Sequence, residues 1–145
     1  MKGLIQRVKK ASVRIDDELH SKINNGILIL LGVEKGDNEQ NAEKLADKIC
    51  KLRIFEDENG KMNKSVVDIN GEILVVSQFT LAGDCKKGTR PSFDKAELPQ
   101  RANELYEYFN EQIRLKSIPV KTGVFGAMMD VELINDGPVT FMVEM

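Results

Sequence analysis

With 145 residues, 41% hydrophobic and 30% charged, the chain has the length and composition of one globular domain, which excludes a disordered or low-complexity protein. Its 21 Lys and Arg against 23 Asp and Glu leave a net charge of -2, so no global positive field gathers nucleic acid and any RNA contact has to be local. No apolar run reaches membrane-spanning length, MKGLIQRVKK does not read as a signal peptide, and Cys50 and Cys85 lack partners at metal-ligand spacing; a cytoplasmic protein with free thiols, no metal and no cofactor is expected.

The first third reads as a β-meander. Strands run from Leu4 to Val8, Ser12 to Ile15 and Leu19 to Ile23, with turns at Asp16-Asp17 and Asn24-Asn25-Gly26, and the run from Ile27 to Val33, apolar on both faces, reads as a central strand. Asp37 with Gln40 makes a capping box ahead of a helix whose buried stripe is Ala42, Leu45, Ala46, Ile49 and Leu52. After the turn Asp57-Glu58-Asn59-Gly60, a strand from Val66 to Ile69 is expected to pair with Glu72 to Ser77 through an Asn70-Gly71 hairpin. Gln78 to Phe93 has no period, and irregular segments of this kind often carry function. A second helix starts near Pro99 and buries Ala102, Leu105, Tyr106, Phe109 and Ile113. Val120 begins an extended segment. Ala127, Met129, Val131 and Leu133 then mark the buried face of a strand that Asn135-Asp136-Gly137-Pro138 breaks, and Val139 to Val143 form a last strand. The expected fold is a single α/β domain over residues 1–145, with a mostly antiparallel or mixed, barrel-like sheet covered by two helices.

Strong catalytic signatures are missing: there is no glycine-rich phosphate loop, HExxH, CxxC or GxSxG. The single histidine, His20, sits among polar residues in a predicted strand and reads as a surface side chain, so a Ser, Cys or Thr nucleophile has no evident base. An enzyme of this sequence needs an easy reaction or a substrate that brings catalytic groups with it. Two segments go beyond what folding asks for. Ser77-Gln78-Phe79-Thr80-Leu81 delivers two hydroxyls and an amide into the irregular stretch, either as a site or to satisfy turn amides. Asn135-Asp136-Gly137-Pro138-Val139-Thr140 is either an ordinary turn or a bend around a cis X–Pro bond. Basic clusters at Lys86, Lys87 and Arg90 and at Arg7, Lys9 and Lys10 read as solvated surface or as phosphate contacts.

In this order IQRV, ILLGVEKGD, RIFED, GKMN, LVVSQFTL, RPSF and KTGVFGAMMDVELINDGPVTF resemble the D-aminoacyl-tRNA deacylase (D-tyrosyl-tRNA deacylase) family along the whole chain. SQFT and NDGPVT match its D-specific branch rather than a paralogous family that tolerates L-amino acids. The resemblance implies a homodimer with each active site at the interface. Gly137 and Pro138 of one subunit would enter a pocket of the other lined by Ser77, Gln78, Phe79 and Thr80. Phe125 and Met129 would be pocket walls, Arg7 a supporting contact, and Lys86, Lys87 and Arg90 contacts to tRNA. The implied reaction is hydrolysis of the ester bond of D-aminoacyl-tRNA, and of glycyl-tRNA on a non-cognate tRNA. The ribose 2′-hydroxyl would assist the attack of water, and backbone N–H groups near Phe79 and Thr80 would steady the oxyanion. Thr80 as a covalent nucleophile is the rival mechanism. No membrane or DNA partner is implied. A non-catalytic tRNA-binding module and a hydrolase of small D-amino acid esters remain as alternatives.

Overall fold

The spine of the structure is β1 (Lys2–Ile15), a single strand in place of the expected two. The protein is described by a computed structural model covering residues 1–145. One edge of β1 is shared: β3 (Gly26–Gly32) pairs with Lys2–Val8, and β2 (Glu18–Ile23) pairs with Ala11–Ile15. Its other edge carries β8 (Asp130–Glu144) along almost its full length. β4 (Phe55–Glu56) and β5 (Met62–Lys64) pair as a separate antiparallel hairpin, while β6 (Glu72–Ser77) runs parallel to β3, and β7 (Val120–Thr122) runs parallel to β6. Across the two ends of this sheet, the Ser21 hydroxyl of β2 donates to the Thr122 carbonyl of β7 at 2.9 Å, so the mixed sheet curls into a nearly closed barrel.

Alternation along these strands sorts side chains into two cores. Val8, Ala11, Val13, Ile23, Leu28, Leu74 and Val76 fill the barrel. Ile27, Ile29, Leu31, Ile73 and Val75 point outward, into a larger core under the helices. β3 is therefore buried on both faces, as its unbroken apolar run requires. α1 (Glu39–Lys51) and α2 (Pro99–Arg114) cover the outer core with the stripes read from the sequence; Leu52 is the C-cap of α1 and only partly buried against that core. Fully burying each Leu, Ile or Phe of such a stripe is worth roughly 1.5–3 kcal/mol.

Four local expectations are corrected. The α1 capping box is formed by Asn38 and Asn41, each side chain accepting from the other's N–H at 3.0–3.1 Å, while Asp37 accepts from the Glu34 N–H. Val66 to Ile69 is helical turn, not strand, because the Asp68 carboxylate accepts from the Ser65 N–H and hydroxyl and closes the chain locally. Asn70-Gly71 therefore makes no hairpin, and β6 finds its partner in β3. Gly137-Pro138 does not end a strand: β8 continues through it, with Asp136 to Val139 bulged out opposite Arg7 between the Val8–Asn135 and Gln6–Thr140 pairs.

Candidate functional site

The parallel strands end where the irregular segments begin, the usual place for a ligand in an α/β sheet. β6 stops at Ser77, and Phe79–Ala82 follow as a 3-10 helix. Its first residues, Phe79 and Thr80, have N–H groups with no acceptor within so short a helix. Beside it, β7 gives way to Gly123 through Met129, which leads into β8. Between the two lies a cavity of about 520 Å³. Ser77, Gln78 and Phe79 form one wall and Phe125 through Met129 the other, while Glu97, Pro99 and Ala102 at the start of α2 close the back. Phe79 stacks at a tilt on Phe93 with ring centroids 5.0 Å apart, and Met128 stands 91% exposed at the rim.

The chemistry available in the cavity is mild. Its lining holds one titratable side chain, Glu97, whose carboxylate accepts from the Leu98 N–H at 2.7 Å. Thr80 is exposed and is not part of the lining; its hydroxyl accepts from the Gln78 amide. His20 lies exposed in β2, outside the cavity, so no imidazole stands ready to activate Thr80. No three His, Cys, Asp or Glu side chains converge as a metal site would require. What the cavity offers is shape and apolar surface, which suits alignment of a reactive substrate more than proton abstraction.

Of the residues singled out from the sequence, Ser77, Gln78, Phe79, Phe125 and Met129 come together here. Gly137, Pro138 and Arg7 do not. Gly137 and Arg7 line a separate, smaller cavity with Asn25, Phe55, Glu56, Ile69 and Asp136. The Gly137–Pro138 bond is cis, both residues are exposed, and Gly137 has a φ of 126°, a left-handed conformation that glycine tolerates. Behind them Arg7 is 5% exposed: its Nη1 donates to the Ile54 carbonyl at 2.7 Å and its Nε to the Asp136 carbonyl at 3.1 Å. Lys86, Lys87 and Arg90 form a third, wholly polar concavity with Asp84, Ser92, Asp94 and Lys95, directly downstream of the 3-10 helix. Glu97, Pro99 and Ala102 were missed because a helix start and its apolar stripe read the same whether or not a cavity lies beside them.

Fold and cavity together define a class: a small α/β domain in which loops at the carboxyl ends of parallel strands, backed by one helix, enclose an apolar site. The chain belongs to the D-Tyr-tRNA(Tyr) deacylase family, whose sequence profile matches residues 4–144. Proteins named D-aminoacyl-tRNA deacylase from Geotalea daltonii, Thermodesulfovibrio yellowstonii and Bacillus cytotoxicus are 60%, 59% and 54% identical to it. Each match spans 99% of this chain and 96%, 98% and 99% of the relative's own length. A solved structure described as c-Myc DNA Unwinding Element Binding Protein superposes with a TM-score of 0.94 at 45% identity, over 100% of this chain and 99% of its own. A probable eukaryotic D-amino acid tRNA deacylase shares the fold with a TM-score of 0.84 at 16% identity, over 99% and 98% of the two chains.

Proposed function

We propose that the protein hydrolyses the ester bond of D-aminoacyl-tRNA, releasing the D-amino acid and free tRNA. The observation that carries this reading is the whole-chain family match joined to a mostly apolar cavity that holds no histidine and whose one titratable side chain, Glu97, accepts from the Leu98 N–H. An aminoacyl ester is more labile than an amide and has a ribose 2′-hydroxyl beside its carbonyl. Water assisted by that hydroxyl can attack, with the Phe79 and Thr80 N–H groups facing the developing oxyanion. Thr80 and Gln78 then orient the ester rather than react with it. Lys86, Lys87 and Arg90 would take phosphates of the acceptor end, a local contact suited to a chain of net charge -2.

Gly137 and Pro138 do not line their own chain's main cavity, so in this reading they serve a second copy. Support comes from β8, whose only ladder partner is β1, leaving an open edge, and which exposes Ile134, Phe141 and Met142. A homodimer covers that strand and brings the Gly-Pro peptide of one subunit to the cavity of the other, where backbone carbonyls meet an L side chain and a D side chain points elsewhere. Glycine has no side chain to exclude, so glycyl-tRNA is a substrate too. Two free cysteines, Cys85 exposed, suit a reducing cytoplasm, and no helix is long and apolar enough to cross a membrane.

The test is release of amino acid from matched D-aminoacyl-, L-aminoacyl- and glycyl-tRNA by purified protein, with mass measured in solution. Cleavage of the D and glycyl esters by a dimer, with the L ester spared, is expected. Equal binding of charged and uncharged tRNA without cleavage would replace the reading with a tRNA-binding module. Turnover of free D-amino acid esters at the same rate would make it a small-ester hydrolase. Duplex DNA belongs among the ligands tested, since a relative at 45% identity is described by a DNA element.

A further inference from the structure

The two walls of the main cavity leave the sheet side by side, and one carbonyl ties them together. The β6–β7 ladder ends at the Val75–Thr122 pair, two residues before Ser77. Just beyond it the Gly123 N–H donates to the Val75 oxygen at 3.0 Å. The same oxygen accepts from the Tyr106 hydroxyl of α2 at 2.9 Å, and the Tyr106 ring lies 6.0 Å from the ring of Phe125. Gly123 is closely held from the other side: a Cβ there would stand 2.6 Å from the Met129 sulfur, which also accepts from the Val124 N–H at 3.4 Å. Tyr106, Val75, Gly123 and Met129 thus form a continuous path from helix to wall to wall.

We propose that Tyr106 is a positioning residue for the deacylation site, its hydroxyl setting the separation of the Ser77–Phe79 and Phe125–Met129 walls through the Val75 carbonyl. The inference rests on the function proposed above and adds to it a residue outside the cavity lining. Tyr106 is 1% exposed, and burial pushes its hydroxyl up to about 12, so the proton that bonds Val75 stays in place at neutral pH. A position needed only for packing is filled as well by Phe. Here the hydroxyl has Asn110 and Thr122 beside it, and Asn110 is itself fully buried with its amide unpaired, so polar groups are concentrated under the end of the ladder.

Tyr106→Phe removes the hydroxyl and keeps the ring. Grip on the tRNA body does not pass through this path, whereas alignment of the ester between the walls does. The variant is therefore expected to lose about tenfold in kcat on D-aminoacyl-tRNA with KM within about twofold of wild type. Without substrate, its backbone amides at Ser77–Phe79 and Gly123–Phe125 should exchange several-fold faster, with β1 to β3 unchanged. Phe109→Leu, an apolar change in the same core, is expected to lower stability and leave kcat and wall exchange alone. Unchanged kcat and unchanged wall exchange in Tyr106→Phe would overturn the proposal, as would Phe109→Leu reproducing the kcat loss at matched stability. A wild-type protein that left D-aminoacyl-tRNA intact would overturn the functional reading instead, and the exchange result would then decide the strut by itself.

Discussion

Replacing Arg7 by Met tests how the projecting Gly-Pro peptide is held. The side chain is 5% exposed, and its guanidinium bonds two backbone carbonyls, of Ile54 at 2.7 Å and of Asp136 at 3.1 Å, with the Asp136 carboxylate 3.3 Å from Nε. Met fills much of the same volume, so the cost comes from carbonyls left without donors, roughly 1–3 kcal/mol for a buried one. Asp136 is about one-third exposed and keeps Lys9 at 3.8 Å, so its share is the smaller. A total of about 2–4 kcal/mol follows, or a Tm lower by roughly 5–15 °C at 2–4 °C per kcal/mol for a chain of this size. The functional effect is separate. A Cβ at Gly137 would stand 3.0 Å from Nη2, so the guanidinium is the surface on which the bulge rests. Without it the carbonyls of the bulge lose their fixed direction, and the D over L preference in kcat/KM should fall at least tenfold, about 1.4 kcal/mol. Arg7→Lys keeps the charge but lacks the fork needed for two carbonyls, and should fall between. Calorimetry and paired kinetics on D- and L-aminoacyl-tRNA give both numbers. A melting point within about 2 °C of wild type would refute the accounting. Lost stability with an unchanged D over L ratio would refute the link to selectivity.

Thr80→Ala should slow turnover less than tenfold, because its hydroxyl is bonded by the Gln78 amide with no histidine in the cavity and, in the proposed mechanism, water does not attack through an acyl-threonine; a trapped aminoacyl-enzyme, or complete loss of turnover with binding intact, would reverse that assignment. Lys86→Ala combined with Lys87→Ala should weaken tRNA binding to a similar extent for every attached amino acid and reduce the salt slope by about 1–2, and an unchanged slope would return these residues to the solvated surface. Stability should fall as the pH rises above neutral. Burial pushes the Cys50 thiol up to about 11 and the Tyr106 hydroxyl up to about 12, so the unfolded chain gives up these protons first and binds fewer than the native state. The loss begins near the ordinary thiol value of about 8.5 and grows until the folded values are passed, with Cys50→Ala flattening its lower part in urea titrations.

The helices were legible because a period of 3.6 survives any environment: Ala42, Leu45, Ala46 and Ile49, like Ala102, Leu105, Phe109 and Ile113, are buried as spaced. β3 was legible for a simpler reason, since only a strand buried on both faces needs Ile27 to Leu31 unbroken. β1 was not, because exposed Lys9 and Lys10 interrupt its alternation where it passes from β3 to β2 as partner. Nor was the parallel pairing of β6 with β3, a long-range choice that no local signal encodes and that Asn70-Gly71 contradicted. In the site, Ser77, Gln78 and Phe79 stood out because an apolar strand ran into polar residues without a turn signal. Motif resemblance alone supplied Phe125 as a pocket wall and the supporting role of Arg7, which the residues themselves offered only as part of a basic cluster. Tyr106 was read as core, correctly, but a stripe of buried residues does not say which of them carries a hydroxyl to a particular carbonyl.

Two surfaces of one chain divide the candidate groups. Ser77 to Phe79 and Phe125 to Met129 face the main cavity, while Gly137 and Pro138 ride on β8, which is paired to β1 on both sides of its bulge. A strand tied at both ends cannot swing its middle across the barrel to its own cavity without breaking one of those ladders. A second chain needs no such change, because the projecting peptide and the cavity are both formed before docking, and preformed surfaces associate with little rearrangement. That economy matches the chemistry. Where a cavity holds no histidine and a single carboxylate, alignment can supply much of the rate, and rigid docking of strand-held parts is a direct way to achieve it. The lack of a histidine in the cavity and the proposed sharing of the site between two subunits are then two consequences of one proposed design, in which the substrate would bring the reactive hydroxyl and the protein the geometry.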